Sequence, residues 1–387
     1  MDEKYEREFM IMENKYNIGE IPFYYTALST PFNPTDLPNK LQFVLKQDDN
    51  GLVRQIESER EQDYLCLAYQ MGSQISGLMD DTGIGKLYAS DFIKYICKKE
   101  GNIAGKKILE IGCGTGYLLY ELQKLGADVF GIEPGAYGIE GQKKYGIPIL
   151  IDFFDSNKIT DSYDIIIFYG VLEYISDAKK FLEDVKSVLK TNGKIFLSVP
   201  DCEPYLQVGD ISLLIHEHWN YFTKDTLESL ALNCGLMGDI ICSEFAGALY
   251  ACFVLGERLH NTNPINYNLL ADYINKIEVQ KEKLFKYMEE IMLNQTLGIY
   301  VPGRMINILS ICYTEVPHQI RFFDDNANLH NKYFPGIDIK VEDFKDFTNN
   351  PVDVMLIASF TFGANIREKI IESGIRCETV LFEELFL

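Results

Sequence analysis

The segment KILEIGCGTG, Lys107 to Gly116, constrains this chain more than any other. Five residues of strand-type sequence run into three glycines at alternate positions, Gly112, Gly114 and Gly116. A leucine-rich segment that reads as a helix follows at once. Seventeen residues after the last glycine, a second short strand, VFGIE, ends on Glu133. A doubly wound sheet builds a nucleoside pocket in this way, at the carboxyl ends of its first two strands. The glycines let backbone approach the ligand, and the acidic side chain accepts from the ribose hydroxyls. The alternate spacing, with Glu110 just ahead of it, departs from the GxGxxG of dinucleotide binders.

Around this segment the pattern is α/β. A helix is expected over Leu87–Lys99, then strands at Lys107–Ile111, Val129–Ile132, Ile149–Phe153, Ile165–Phe168 and Lys194–Val199. The helix Ala178–Lys190 carries Phe181, Leu182, Val185, Val188 and Leu189 on one face. Short, near-continuous apolar strands suit a parallel sheet buried on both faces. Strands near Asp239–Glu244 and Leu249–Leu255 are expected to close the sheet edge antiparallel. Residues 1–85, with the proline-bearing run IPFYYTALSTPFNPTDLP, read as a small loop- and strand-rich cap. Residues 86–258 form the central domain. Residues 259–295 hold a long amphipathic connector helix, with Leu270, Ile274, Ile277, Leu284, Met288 and Ile291 at helical steps. Residues 296–387 read as a second, Rossmann-like α/β unit.

Bulk properties narrow the partners. A formal charge of −21 opposes nucleic-acid binding, which needs basic patches. No apolar run reaches membrane-span length, and the charged N-terminus looks like neither a signal nor a transit peptide. Nine scattered cysteines without a CxxC fit free thiols in a cytoplasmic protein, and they provide no structural zinc site. A small-molecule substrate is expected, with no nucleic acid and no membrane, and the chain as a monomer or weak homo-oligomer.

The second concentration of chemistry is IHEHWNYF, Ile215 to Phe222. It places His216, Glu217 and His218 together in a chain that has five histidines. In an extended segment, alternation puts His216 and His218 on one face and Glu217 on the other. Three readings stand: a hydrogen-bonded loop, a metal site lacking an evident third ligand, and a general base poised near neutral pH. No metal is expected. Cys113 reads as a small filler within the glycine turn. Arg304 reads as a surface arginine or a phosphate partner.

Taken together, EIGCGTG (Glu110 to Gly116), GIEPG (Gly131 to Gly135), YDIIIFYGVLEYISD (Tyr163 to Asp177) and LKTNGKIFLSVPD (Leu189 to Asp201) resemble the class I S-adenosylmethionine-dependent methyltransferases. The resemblance implies an enzyme with a central Rossmann-like sheet that takes S-adenosyl-L-methionine as cofactor. It places the donor on Glu110, Gly112, Cys113, Gly114 and Gly116, with Glu133 and Pro134 at the ribose. Asp152 and Phe153 would flank the adenine, and Gly170 and Glu173 would border the donor.

The His-Glu-His block after SVPD, NIGEIPF, NGLVRQ and FFDDNANLHNKYFPG resemble one subgroup, the NDP-hexose C-methyltransferases of carbohydrate biosynthesis. That resemblance implies a nucleotide-sugar substrate and His218 as base, supported by Glu217 and His216, with Tyr69 facing the sugar. The chain departs from the subgroup at several points. The zinc cysteines of the N-terminal module are absent, Ile215 replaces a tyrosine, and Phe245-Ala246-Gly247-Ala248 replaces His-Gly-Gly-Ser. The C-terminal glycine turn is reduced to YVPGRM. These changes favour a different acceptor, and leave open O- or N-methylation of a glycan or secondary metabolite, or a catalytically silent binding protein.

Overall fold

The computed structural model describes residues 15–24, 27–33, 36–56, 60–70, 79–243, 247–256, 266–359 and 362–386, with the side chains of 69, 70 and 386 excepted. The cap begins with strands β1 (Lys15–Pro22), β2 (Lys40–Gln47) and β3 (Val53–Ile56), followed by helices α1 (Glu61–Gln70) and α2 (Gly83–Glu100). The central unit continues as β4 (Lys107–Ile111), α3 (Tyr117–Lys124), β5 (Asp128–Ile132), α4 (Ala136–Tyr145), β6 (Ile149–Leu150) and β7 (Tyr163–Tyr169). Then come α5 (Ala178–Ser187), β8 (Leu189–Pro200), α6 (Glu203–Val208), β9 (Asn220–Tyr221), α7 (Lys224–Asn233), β10 (Leu236–Cys242) and β11 (Ala248–Leu255).

Seven of these strands form one sheet in the order β10-β11-β8-β7-β4-β5-β6. Strands β4 to β8 run parallel, while β10 and β11 close the edge antiparallel, as expected. Ile108, Leu109, Ile165 and Ile167 are fully buried because helices cover both faces. Helix α5 starts where the Asp177 carboxylate accepts from Lys180 N at 2.9 Å, and it buries Phe181, Leu182 and Val185. It ends at Ser187, short of the expected Lys190, because Leu189 already begins β8. Strand β6 is likewise shorter than expected and stops at Leu150, so Asp152 and Phe153 lie in a loop.

The connector is α8 (Leu269–Met292). Beyond it lie β12 (Leu297–Tyr300), α9 (Ile306–Cys312), β13 (Ile320–Phe323), β14 (Val341–Glu342), α10 (Phe344–Asn349), β15 (Val354–Ile357), α11 (Gly363–Glu372) and β16 (Glu378–Leu381). These strands form a parallel sheet in the order β14-β13-β12-β15-β16, the second α/β unit read from the sequence.

Only part of the cap packs on itself, where Phe23, Leu37, Leu65 and Ala68 cluster around Trp219. Ile18, Ile21, Phe43 and Leu45 share one apolar cluster with Leu270, Tyr273, Ile277, Leu284 and Met288 of α8, and with Leu297, Ile299 and Ile308 beyond it. Each such buried side chain contributes about 1.5–3 kcal/mol, so the C-terminal sheet supplies much of what keeps the cap folded. The cap also reaches the central unit. Strand β9 pairs antiparallel with β3, Val53 opposite Tyr221 and Arg54 opposite Asn220, extending the cap sheet to β1-β2-β3-β9. Among the described residues no helix is long and apolar enough to cross a membrane.

Candidate donor and catalytic site

The strand order turns at β4, with β5 and β6 on one side and β7 and β8 on the other. Open α/β sheets bind ligands in the crevice outside the carboxyl ends of the strands at such a point. Glu110, Glu133 and Gly170 all lie there, at or just beyond the ends of β4, β5 and β7.

The glycine turn is built for close approach. Gly112 has φ +70°, and a Cβ added to it would lie 2.6 Å from Val171 Cγ2. Helix α4 sits directly on the turn, since a Cβ at Gly141 would lie 2.0 Å from the Thr115 carbonyl oxygen. The Glu133 carboxylate ties the two strand ends together, accepting from Gly114 N at 3.0 Å and from Gly135 N at 2.8 Å. Each oxygen keeps acceptor capacity for a ribose hydroxyl. Thr115 Oγ1 donates to Met79 O at 3.3 Å, which lays the segment before α2 against the turn.

Glu110 is buried behind the turn, and its Oε2 has no hydrogen-bond partner among the described residues. Desolvation, reinforced by the negative charge of Glu133, holds it well above the usual carboxylate range. The buried Cys113 thiol is pushed far up by desolvation and then by Glu110, so it packs as a neutral filler. On the adenine side, Asp152 pairs with Lys158 and accepts from Phe153 N at 2.8 Å. The Lys158 bond keeps that carboxyl below its ordinary value. Phe153 is 67 % exposed, an aromatic face left open to a flat ligand, and Pro134 beside Glu133 is also exposed. An orphaned buried carboxyl, a glycine-rich turn and an open aromatic together fit a nucleoside with a polar tail.

The His-Glu-His segment departs from the extended geometry expected of it. His218 N donates to Ile215 O at 3.0 Å, closing a turn. The two imidazoles therefore part company. His216 enters the cap between Phe23 and Phe43, with ring centroids at 5.6 and 5.0 Å. His218 stands edge-to-face on Tyr174, with centroids 5.0 Å apart, just beyond the end of β7. Its Nδ1 is buried without a partner among the described residues, and desolvation pushes its pKa down to about 4.

The turn is pinned to the same strand end by Trp219 N donating to Glu173 O at 2.7 Å. Asn220 Nδ2 donates to Leu172 O and Ile175 O at 3.1 and 2.7 Å. Glu173 is buried, its Oε2 lacks a described partner, and desolvation pushes its pKa up to about 8. Glu217, next to His218 in sequence, is also buried.

Other expected residues fall elsewhere. The Tyr69 side chain, and Phe245 and Ala246, lie outside the described residues, although Tyr69 itself is in α1. Arg304 is committed to an ion pair with Asp210. Among the described residues no group of three or more His, Cys, Asp or Glu side chains is arranged to hold a metal. The sequence reading missed Glu61, whose Oε1 lies 2.6 Å from His216 Nδ1 and also accepts from Gln55 Nε2. No local pattern marks it, because 155 residues separate the partners.

With this geometry in hand, the comparison with known families is decisive for the central unit. Residues 84–238 match the family model of the methyltransferase domain. The expected Rossmann-like α/β fold stands with that match, and S-adenosylmethionine is the methyl donor of that family. The cap and the C-terminal sheet lie outside the matched methyltransferase domain. Among curated relatives, the mitochondrial ubiquinone biosynthesis O-methyltransferase of Schizosaccharomyces pombe is 29% identical over 136 residues, 33% of this chain and 47% of that protein. The ubiquinone biosynthesis O-methyltransferase of Photorhabdus laumondii is 30% identical over 114 residues, 27% of this chain and 48% of the relative. That of Actinobacillus pleuropneumoniae serotype 5b is 26% identical over 197 residues, 46% of this chain and 83% of the relative. The chain thus spans about half the length of the first two.

Proposed function

We propose that the chain is an S-adenosylmethionine-dependent methyltransferase acting on a nucleotide-linked sugar or a related polar metabolite, with His218 taking the proton from the nucleophile. One observation carries this reading. Glu110, Glu173 and His218 each have a buried polar atom without a described partner, and all three stand at the carboxyl edge of the neighbouring strands β4 and β7. Buried polar atoms are rarely left unmatched, so this edge is shaped for a ligand.

Glu133 and the glycine turn would hold the donor, whose sulfonium needs alignment more than activation. His218 is neutral at physiological pH and offers a lone pair to the acceptor's proton. Methyl transfer to a hydroxyl is a second reading for the same site, favoured by the O-methyltransferase names of the relatives.

Calorimetry with S-adenosylmethionine tests the donor site, and absence of binding would sink both readings. Incubation with labelled donor and a panel of nucleotide sugars and phenols, read by mass spectrometry, separates the acceptors. Solvent deuterium entering a sugar beside its keto group without donor supports carbon methylation. Methylation of a phenol alone overturns the sugar assignment. His218→Ala is expected to lower turnover by ~100-fold, and a near-normal rate removes His218 from the role of base.

A further inference from the structure

We infer that Glu61 is a positioning residue of the methyl-transfer site, acting from the cap through His216 to fix the turn that presents His218. The inference rests on the methyl-transfer reading of that site.

The pair is built unlike an incidental contact. Both side chains are fully buried, His216 Nδ1 lies 2.6 Å from Glu61 Oε1, and Gln55 Nε2 donates to the same oxygen. A carboxylate on Nδ1 selects the tautomer that carries its proton there. Nε2 is then left with its lone pair, and that atom is buried without a described partner. Phe23 and Phe43 flank the ring, so its orientation is set by packing as well as by the hydrogen bond.

His216 itself does not stand at the strand end. The turn it anchors does, two residues on, through His218 and Trp219. The anchor is doubled by backbone, since Gln55 N donates to Trp219 O at 2.9 Å and β3 pairs with β9. Residues 55 and 61 of the cap thus hold the segment from both ends, while Glu173 holds it from the methyltransferase domain. A base must sit within a few tenths of an ångström of its working position, and a displacement of about 1 Å costs about 100-fold in rate. Glu61 makes that position depend on a carboxylate at the start of a cap helix.

Full-length protein labelled with 15N-histidine, loaded with S-adenosylmethionine, tests this. The wild type is expected to show His216 protonated on Nδ1 and bare on Nε2. In Glu61→Ala the tautomer should be lost and the ring signals of His218 should move, with donor affinity within about twofold of wild type. Glu61→Gln keeps an acceptor oxygen and should restore both, which separates loss of position from loss of fold. On whichever nucleotide sugar the wild type methylates, Glu61→Ala should lower kcat by about 100-fold with KM within about threefold. It should add no further loss to His218→Ala. The inference is overturned if wild-type His216 carries its proton on Nε2, if the His218 signals stay in place in Glu61→Ala, or if the two losses add. Failure of the wild type to bind donor would instead remove the methyl-transfer reading, and the tautomer would still report on the anchor.

Discussion

Burial drives two side chains at the end of β7 in opposite directions, and both end up neutral. Glu173 is pushed up to about 8 and His218 down to about 4, each by desolvation of its charged form. The consequences for stability have opposite signs. Between pH 4 and 6.5 the unfolded chain binds the His218 proton that the folded chain refuses, so stability rises with pH. Between pH 4.5 and 8 the folded chain keeps the Glu173 proton that the unfolded chain releases, so stability falls with pH. The two trends oppose each other up to 6.5; above it the His218 effect is spent, and Glu173 acts in the same direction as Glu110, which burial also holds up. In urea unfolding Glu173 is therefore expected to contribute a loss of up to roughly 2 kcal/mol from pH 6.5 to 8. Glu173→Gln should make that slope shallower, and a slope unchanged in the variant would show that Glu173 is ionised in the folded protein.

At the scale of elements, the donor site depends on how closely α4 seats on the glycine turn. A methyl at Gly141 meets the Thr115 carbonyl at 2.0 Å, and backbone cannot swing aside as a side-chain tip can. Gly141→Ala is expected to cost about 1–3 kcal/mol and to weaken S-adenosylmethionine binding by moving Thr115 and its neighbours. Calorimetry and denaturant titration on one sample would read both, and an unchanged affinity would place the strain elsewhere.

This part of the molecule was legible in the sequence because it is local. The strand β4, its turn and α3 follow one another within Lys107–Lys124, and Glu133 is one strand further on. The His-Glu-His block was legible as chemistry but misread as geometry. Alternation assumes extended backbone, whereas the hydrogen bond from His218 N to Ile215 O folds it into a turn and sends the rings apart. Glu61 was invisible for a different reason. Its meaning comes from a partner 155 residues away, and nothing in EQDYLCLAYQ distinguishes it from a surface carboxylate at a helix start. The shortness of β6 was hidden too, because an apolar run states what is buried and not where pairing ends.

For the molecule as a whole, the shared core joins the cap and the C-terminal sheet, and it takes in Leu206, Ile211, Leu214 and Tyr221 of the central domain. Ile21 and Phe43 of the cap share a core with Leu297, Ile299 and Leu356 of the C-terminal unit, and the Arg304–Asp210 ion pair ties that unit to the central domain beside it. A chain ending after α8 would strip those cap residues of their partners in the C-terminal sheet. It is expected to keep S-adenosylmethionine binding, which needs β4 to β7, while the cap strands lose amide-exchange protection. Protection persisting in β1 and β2 would show that the cap folds on its own residues.

The two-residue ladder between β3 and β9 carries a consequence for the order in which the protein comes into being. Synthesis delivers the cap strands first and the sheet that completes their core last, so long-range closure must await nearly the full chain. The donor pocket is assembled earlier, from contiguous strands. On the reading proposed above, a nascent chain passes through a stage in which it can take up the methyl donor before the core that steadies the cap around the His218 turn is complete. The shortened chain described above is the equilibrium counterpart of that stage: on the same reading it is expected to take up the donor and to transfer the methyl group poorly.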